Sequence, residues 1–205
     1  MSIEEIYSMI RKLGGVEPSI FENFYQEILA APLNLTAITA RGDFFLKHIL
    51  DSIYIFNLRQ IEFKRMVDIG SGGGFPGIPI AAVYPEREIY LVESISKKCR
   101  FLESCALKLS LRNLHILNCR AEHIDKYNDS VFDLITSRGV GSVRDILHAT
   151  LHIAAKNTVW LMYKGERAEQ EVAQASDIMK KRGIKSEIIR IEEPITRTYL
   201  FLRYS

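Results

Sequence analysis

The run Asp68-Ile69-Gly70-Ser71-Gly72-Gly73-Gly74-Phe75-Pro76-Gly77 constrains this chain more than any other stretch of it. It stands where a short apolar run ends and a helix is due to begin, and glycines at a strand-to-helix turn let the backbone approach a ligand closely. Two registers fit. Gly72, Gly74 and Gly77 satisfy the dinucleotide pattern G-x-G-x-x-G, whereas Asp68, Gly70, Gly72 and Gly74 satisfy an acid-x-G-x-G-x-G pattern. A pyrophosphate at the helix N-terminus would be repelled by an aspartate at the strand tip. S-adenosylmethionine has no phosphate and brings two cationic groups, an α-amino group and a sulfonium, so Asp68 favours it over a nicotinamide dinucleotide. Pro76 and Pro79 suit a tight turn followed by a helix start. Glu93 closes the next strand, where a carboxylate can accept both ribose hydroxyls of an adenosine, a role that serves either cofactor. The bland alternative, a tight turn beside a surface glutamate, needs the glycines and both acids to coincide by accident.

From Met66 onward, short apolar runs alternate with amphipathic stretches, which predicts βαβ units and a parallel sheet. Seven strands are expected: Met66 to Ile69, Glu88 to Val92, Leu114 to Leu117, Phe132 to Thr136, Thr158 to Tyr163, Ser186 to Ile191 and Thr198 to Arg203. The clearest helices between them are Lys97 to Leu109 and Glu166 to Arg182. Only Glu192 to Arg197 separates the last two strands, enough for a hairpin and too short for a helical crossover, so the final strand should run antiparallel to its neighbour. The fold class is therefore α/β: a Rossmann-like domain over residues 61–205, with a seven-stranded, mostly parallel sheet and an antiparallel last strand. A helical N-terminal segment, residues 1–60, should pack on its core. There Ile3, Ile6, Met9, Ile10 and Leu13 recur at helical spacing, and a second helix starts at Ser19 with Glu22 placed for a capping box. Pro32 stops that helix, irregular Asn34-Leu35-Thr36-Ala37 follows, and a third helix spans roughly Asp43 to Leu58.

Composition limits the partners weakly. The 205 residues are 47% hydrophobic, ample for a packed core, and 27 basic residues against 25 acidic give a net charge of +2. Any case for a polyanionic partner must come from local patches. Charged residues interrupt every hydrophobic stretch before membrane-spanning length, and the first residues lack a basic lead and apolar run, so a cytoplasmic chain without membrane contact is expected. Cys99, Cys105 and Cys119 form no metal-ligand pattern, their odd count argues against a disulfide framework, and no metal is expected.

With the glycine-rich run in hand, the chain resembles the bacterial 16S ribosomal RNA guanine-N7 methyltransferases, the family once called glucose-inhibited division protein B. The resemblance covers nearly the whole chain. It is carried by Asn34-Leu35-Thr36, Lys47-His48-Ile49-Leu50-Asp51-Ser52, the run from Asp68 through Pro79, Glu93-Ser94 and Lys97-Lys98-Cys99-Arg100-Phe101-Leu102. Arg120-Ala121-Glu122, Ser137-Arg138 and Lys164-Gly165 continue it. It implies the seven-stranded methyltransferase sheet and S-adenosylmethionine held by Gly70, Phe75, Ala121, Glu122 and Arg138, with Glu93 at the ribose; Gly72 and Gly74 of the glycine pattern are the remaining cofactor candidates. It also implies 16S rRNA or the small ribosomal subunit as partner; a monomer is expected. Where the family usually continues Ser-Arg with alanines, Gly139 and Gly141 follow Arg138 here.

The acceptor chemistry fits. Methyl transfer from a sulfonium is an in-line displacement, so the protein must chiefly align the reactants and exclude water. Guanine N7 offers an in-plane lone pair and no proton, so no general base is needed. The chain has neither an Asp/Asn-Pro-Pro-aromatic motif after the fourth strand nor a cysteine near it in sequence. Arg138, Lys164 and His48 are the catalytic candidates, with Arg138 expected on guanine O6, a phosphate or the cofactor carboxylate, because a donor on N7 would block the attacking lone pair. Asn34, Thr36, Lys97, Arg100, Arg120 and Arg197 are the RNA-contact candidates. Some have a plainer reading: His48 as a packing residue, Asn34 and Thr36 as turn caps, Lys97 and Arg100 as a solvated helix face; Arg120 and Lys164 follow strand ends, where position favours function. The competing functions are methylation of a small molecule or protein, an NAD-dependent oxidoreductase, and an RNA-binding domain without turnover.

Overall fold

In the computed structural model, which describes residues 1–126 and 131–205, the N-terminal helices have clear starts and stops. Helix α1 (Ile3–Gly14) opens on a capping box, with Glu5 N donating to Ser2 Oγ at 3.2 Å and Ser2 N to Glu5 Oε2 at 2.6 Å, and it ends at Gly15 in the left-handed region. Helix α2 (Ser19–Ala30) lacks the box expected of Ser19 and Glu22: Pro18 is its N-cap, and Glu22 is drawn off into an ion pair with Arg41 at 2.6 Å. The third helical stretch begins at Arg41, slightly earlier than expected, and is not uniform. It runs α3 (Arg41–Phe44), a π-helical turn Phe45–Leu50, then α4 (Asp51–Leu58). The wide turn lets Phe45, His48, Ile49 and Leu50 all point inward.

The expected sheet is present; the second and third strands have the expected bounds and the other five run longer. The elements are β1 (Arg65–Ile69), α5 (Gly77–Val83), β2 (Glu88–Val92), α6 (Ser96–Lys108), β3 (Leu114–Leu117), β4 (Phe132–Arg138), α7 (Val143–Thr150) and β5 (Ala154–Lys164). The stretch expected as one helix from Glu166 is broken at Ala175 into α8 (Ala168–Gln174) and α9 (Ser176–Arg182), before β6 (Ile184–Ile191) and β7 (Arg197–Tyr204). The strand order is β3-β2-β1-β4-β5-β7-β6. The first five strands are parallel, and β7 pairs antiparallel with both β5 and β6. The order reverses between β1 and β4, and the carboxyl ends of strands at such a switch point are where open α/β sheets bind ligands.

Strand alternation divides the interior in two. Met66, Leu134, Leu161 and Phe201 face a core shared with α1, α2, α4, α5 and α6, while Val67, Ile135, Trp160 and Met162 face one shared with α7 and α9. In the first core an aromatic cluster joins the N-terminal helices to the glycine-rich turn. Phe44, fully buried, contacts the rings of Phe24, Tyr25, Phe45, His48 and Phe75. Replacing Phe44 with Ala should cost about 3–5 kcal/mol of unfolding free energy by chemical denaturation.

Candidate active site

The carboxyl end of β1 turns into the glycine-rich loop, and the loop is tied to β2: Gly70 N and Ser71 N donate to the Val92 carbonyl at 2.8 and 3.1 Å. Gly70 has φ +67°, and a Cβ on it would fall 2.5 Å from Val140 Cγ2, so backbone conformation and space both require glycine there. Glu93 ends β2 with only 6% of its surface exposed. Its Oε2 accepts from Gly72 N at 3.1 Å and its Oε1 from Ile95 N at 2.8 Å. Each carboxylate oxygen has a further lone pair for a ligand hydroxyl.

Beside Glu93 lies a crevice of about 200 Å³, walled by Ile69, Gly70, Val92, Ala121, Val140 and Ile146 and edged by Arg120, Glu122 and Asp145. An apolar slot with a buried carboxylate beside it has the character an adenosine requires: aliphatic walls for a base and an acceptor for ribose hydroxyls. Of the residues expected to hold the cofactor, Gly70, Glu93, Ala121 and Glu122 meet here. Gly72 contributes through its bond to Glu93, while Gly74 faces Ile78 of α5. The Phe75 ring does not line the slot: it stacks on His48 at 4.2 Å and 13° within the aromatic cluster. Arg120, expected on the RNA side, is a rim residue of this same crevice.

Asp68 is fully buried beneath the loop and does not face the crevice. Its Oδ1 accepts from Thr136 Oγ1 on β4 at 2.8 Å, and its carbonyl accepts from Ser71 Oγ at 2.9 Å. Burial pushes the carboxyl up to about 7, against the opposing pull of Thr136, Ser71, the Gly77 backbone and Arg138. Asp68 therefore pins the loop between β1 and β4, and any effect on a cationic ligand acts through the field.

A second cluster sits at the ends of β4, β7 and the π-helical turn. The Asp51 carboxylate, with no exposed surface, takes both Arg197 Nε at 2.8 Å and Arg197 Nη2 at 2.6 Å. Arg138 Nη1 pairs with the same carboxylate at 3.2 Å, and Arg138 Nη2 donates to the Lys47 carbonyl at 2.7 Å. Arg138 Nη2 also lies 3.0 Å from His48 Nδ1, and His48 Nε2 lies 2.7 Å from Thr36 Oγ1. Burial, then the charges of Arg138 and Arg197, push the His48 imidazole down to about 3, so it is neutral at physiological pH. Asp51 is the hub that the sequence reading missed. Its sequence cue is its place three positions after His48, in one of the runs that carry the family resemblance.

The other expected residues separate into those held inside and those left at the surface. Lys164, expected to be catalytic, is turned away from the crevice: its Nζ donates to the Gly141 carbonyl at 3.0 Å and to Glu171 Oε2 at 2.8 Å, tethering the loop after β4 to α8. That loop uses the glycines that depart from the family pattern, with φ +67° at Gly139 and +49° at Gly141. Arg197, expected on RNA, is committed to Asp51. Arg138, expected on the guanine, phosphate or cofactor, keeps only 14% of its side chain exposed and points at His48 and Asp51. Lys97 and Arg100 are exposed on α6 and line a groove of about 630 Å³ against Ala30–Leu33, and Asn34 is exposed beside it. Among the described residues no cluster of metal-binding side chains occurs, and no helix is long and apolar enough to cross a membrane.

A family model described as rRNA small subunit methyltransferase G (GidB) matches residues 18–197. The chain belongs to that family. The ribosomal RNA small subunit methyltransferase G of Mycoplasma capricolum subsp. capricolum is 36% identical over 174 residues, 83% of this chain and 74% of that one. The corresponding protein of Hydrogenovibrio crunogenus is 37% identical over 147 residues, covering 72% of this chain and 66% of that relative, just under two thirds of its length. Among solved structures, the S-adenosylhomocysteine-bound methyltransferase PaMTH1 of Podospora anserina superposes with a TM-score of 0.66 at 14% identity, covering 98% of this chain and 94% of that one. An O-methyltransferase from Bacillus cereus gives the same TM-score at 12% identity, covering 98% and 97%. These likenesses establish the class I methyltransferase fold, and membership of the methyltransferase G family favours the acid-x-G-x-G-x-G reading of the loop.

Two tests follow from the buried acids of this family member. Asp51→Asn leaves Arg138 and Arg197 without their shared counter-charge and should lower the unfolding free energy by about 3–5 kcal/mol in equilibrium denaturation. Asp68 titrates at about 7 when folded against an ordinary 3.8, so the folded state retains a proton that the unfolded chain has released across that window. Its contribution to stability is complete below about pH 4 and falls as pH rises to about 7. The difference in unfolding free energy between wild type and Asp68→Asn, measured across that range, should show this slope, and no difference in slope contradicts the assignment.

Proposed function

We propose that this protein transfers the methyl group of S-adenosylmethionine to N7 of a guanine in 16S ribosomal RNA. The observation that carries the reading is the crevice at the β1–β4 switch point, where Glu93 and the Gly70–Gly72 backbone form an adenosine-sized slot beside the Thr36–His48–Arg138 chain. Bound there, S-adenosylmethionine supplies an electrophilic methyl group on a sulfonium. The protein's own residues bind and align. Glu93 takes the ribose hydroxyls, the aliphatic walls from Ile69 to Ile146 exclude water from the base, and Val140 closes over Gly70. Gly141, held by Lys164, fixes the loop that carries Val140. No side chain has to remove a proton, because guanine N7 bears none, and the neutral, doubly bonded His48 suits such a site.

The RNA backbone runs past the crevice mouth along the groove between Ala30–Leu33 and α6, where Lys97 and Arg100 meet phosphates. Asn34 at its edge and Arg120 at the crevice rim extend this surface, and Arg138, His48 and Arg197 support it from beneath. The working species is a cytoplasmic monomer acting on rRNA or the small subunit, consistent with three free, buried thiols suited to a reducing compartment.

Incubation with labelled S-adenosylmethionine and small subunits lacking the modification should place the label on guanine N7 of the RNA. Label on protein, on a small molecule, or on another RNA atom contradicts the assignment. The double variant Lys97→Ala, Arg100→Ala should raise the KM for the ribosomal substrate and lower the slope of log affinity against log salt by about 1.5 to 2. Its affinity for S-adenosylmethionine, measured by calorimetry, should stay unchanged.

A further inference from the structure

Thr36 lies in a segment that crosses the glycine-rich loop: the Leu35 carbonyl oxygen is 3.1 Å from where a Cβ on Gly73 would stand. Two neighbours meet its hydroxyl oxygen. Ile38 N donates to Oγ1 at 3.0 Å, and His48 Nε2 lies 2.7 Å away. The donor in the histidine–threonine pair is fixed at the other ring nitrogen. Arg138 Nη2 is 3.0 Å from His48 Nδ1, and a guanidinium offers only N–H donors, so Nδ1 must be the acceptor. A neutral imidazole that accepts at Nδ1 carries its proton on Nε2, and Nε2 therefore donates to Thr36 Oγ1. The ring's neutrality follows from its burial and from the two arginine charges beside it.

Both lone pairs of the Thr36 hydroxyl are thus occupied, by Ile38 N–H and by His48 Nε2–H. Its own proton has no acceptor among the described residues. Thr36 is held as a hydroxyl that can donate and cannot turn round to accept.

We propose that Thr36 donates this hydrogen bond to O6 of the acceptor guanine and so selects guanine over adenine. The proposal rests on the guanine-N7 reading above and names the group that orients the base within it. O6 is the acceptor next to N7 on the same base edge, and a single-proton donor on O6 leaves the N7 lone pair free, whereas a forked guanidinium would cover both. Adenine places an amino donor at that position, which would meet the Thr36 proton with another proton. Arg138 and His48 act through Thr36 as positioning residues: Asp51 holds Arg138, Arg138 sets the histidine tautomer, and the tautomer makes the threonine a donor.

The test combines Thr36→Val, Thr36→Ser and small subunits ligated to carry 2-aminopurine, which keeps N7 and lacks O6, at the mapped guanine. On natural subunits Thr36→Val should lose roughly 3- to 10-fold in kcat with little change in KM, the size expected for one neutral hydrogen bond. Thr36→Ser should recover most of the rate, and calorimetric affinity for S-adenosylmethionine should match wild type in both variants. On 2-aminopurine subunits both enzymes should slow, because N7 loses the electron density that O6 supplies, but the ratio of wild-type to Thr36→Val rate should fall to about one. If Thr36→Val remains slower than wild type by the same factor on 2-aminopurine, Thr36 does not act on O6 and the proposal is overturned. Thr36→Ala provides the same comparison should the valine variant melt early. Absence of N7 label from wild type on natural subunits would instead overturn the underlying reading.

Discussion

A carboxylate sealed from water ties the N-terminal helices to the sheet beside the proposed acceptor site. Asp51 faces two guanidiniums in the interior, from Arg138 at the end of β4 and Arg197 at the start of β7, and Tyr199 Oη donates to its backbone carbonyl at 3.1 Å. Each group alone would be costly to bury, and removing one partner would strand the others. The arrangement fastens the N-terminal helices to two strands of the sheet, next to the site proposed for the acceptor base. Arg138 passes the constraint to His48, and His48 passes it to Thr36 and, through its stacked ring, to Phe75 of the glycine-rich loop.

The donor side is built differently, almost wholly from backbone. Gly70, Ser71 and Gly72 bond to the end of β2 and to Glu93, and Asp68 braces the turn from below through Thr136. The two clusters lie near the switch point between β1 and β4, so under the proposed function a methyl donor held by the sheet would face an acceptor held by the N-terminal segment braced against it. Alignment of this kind is what an in-line displacement needs from a protein when the acceptor brings its own lone pair.

The donor side was legible in the sequence because its determinants are local. A glycine with positive φ, an acid at a strand tip and an acid closing the next strand leave marks within a short run, and a six-residue gap could only be a hairpin. The acceptor side was not legible in the same way. Asp51 and Arg197 are separated by 146 positions, and nothing in either neighbourhood announces the pair. The π-helical turn shifts the facing of Phe45–Leu50, so helical periodicity cannot tell which side His48 takes. Lys164 and Arg138 were placed at the correct strand ends, but a strand end fixes position and not direction. Both side chains turn toward carboxylates of the chain itself, half-buried Glu171 for one and fully buried Asp51 for the other.

The central claim is that one slot at the β1–β4 switch point takes the adenosine of a methyl donor while the Asp51-anchored cluster faces the acceptor. A crystal structure of the protein with S-adenosylhomocysteine tests it most directly. The account predicts both ribose hydroxyls on the Glu93 carboxylate, the base between Ala121 and Val140, and the sulfur directed toward Thr36 and Arg138. Adenosine bound away from Glu93, or a sulfur directed away from that cluster, would contradict it.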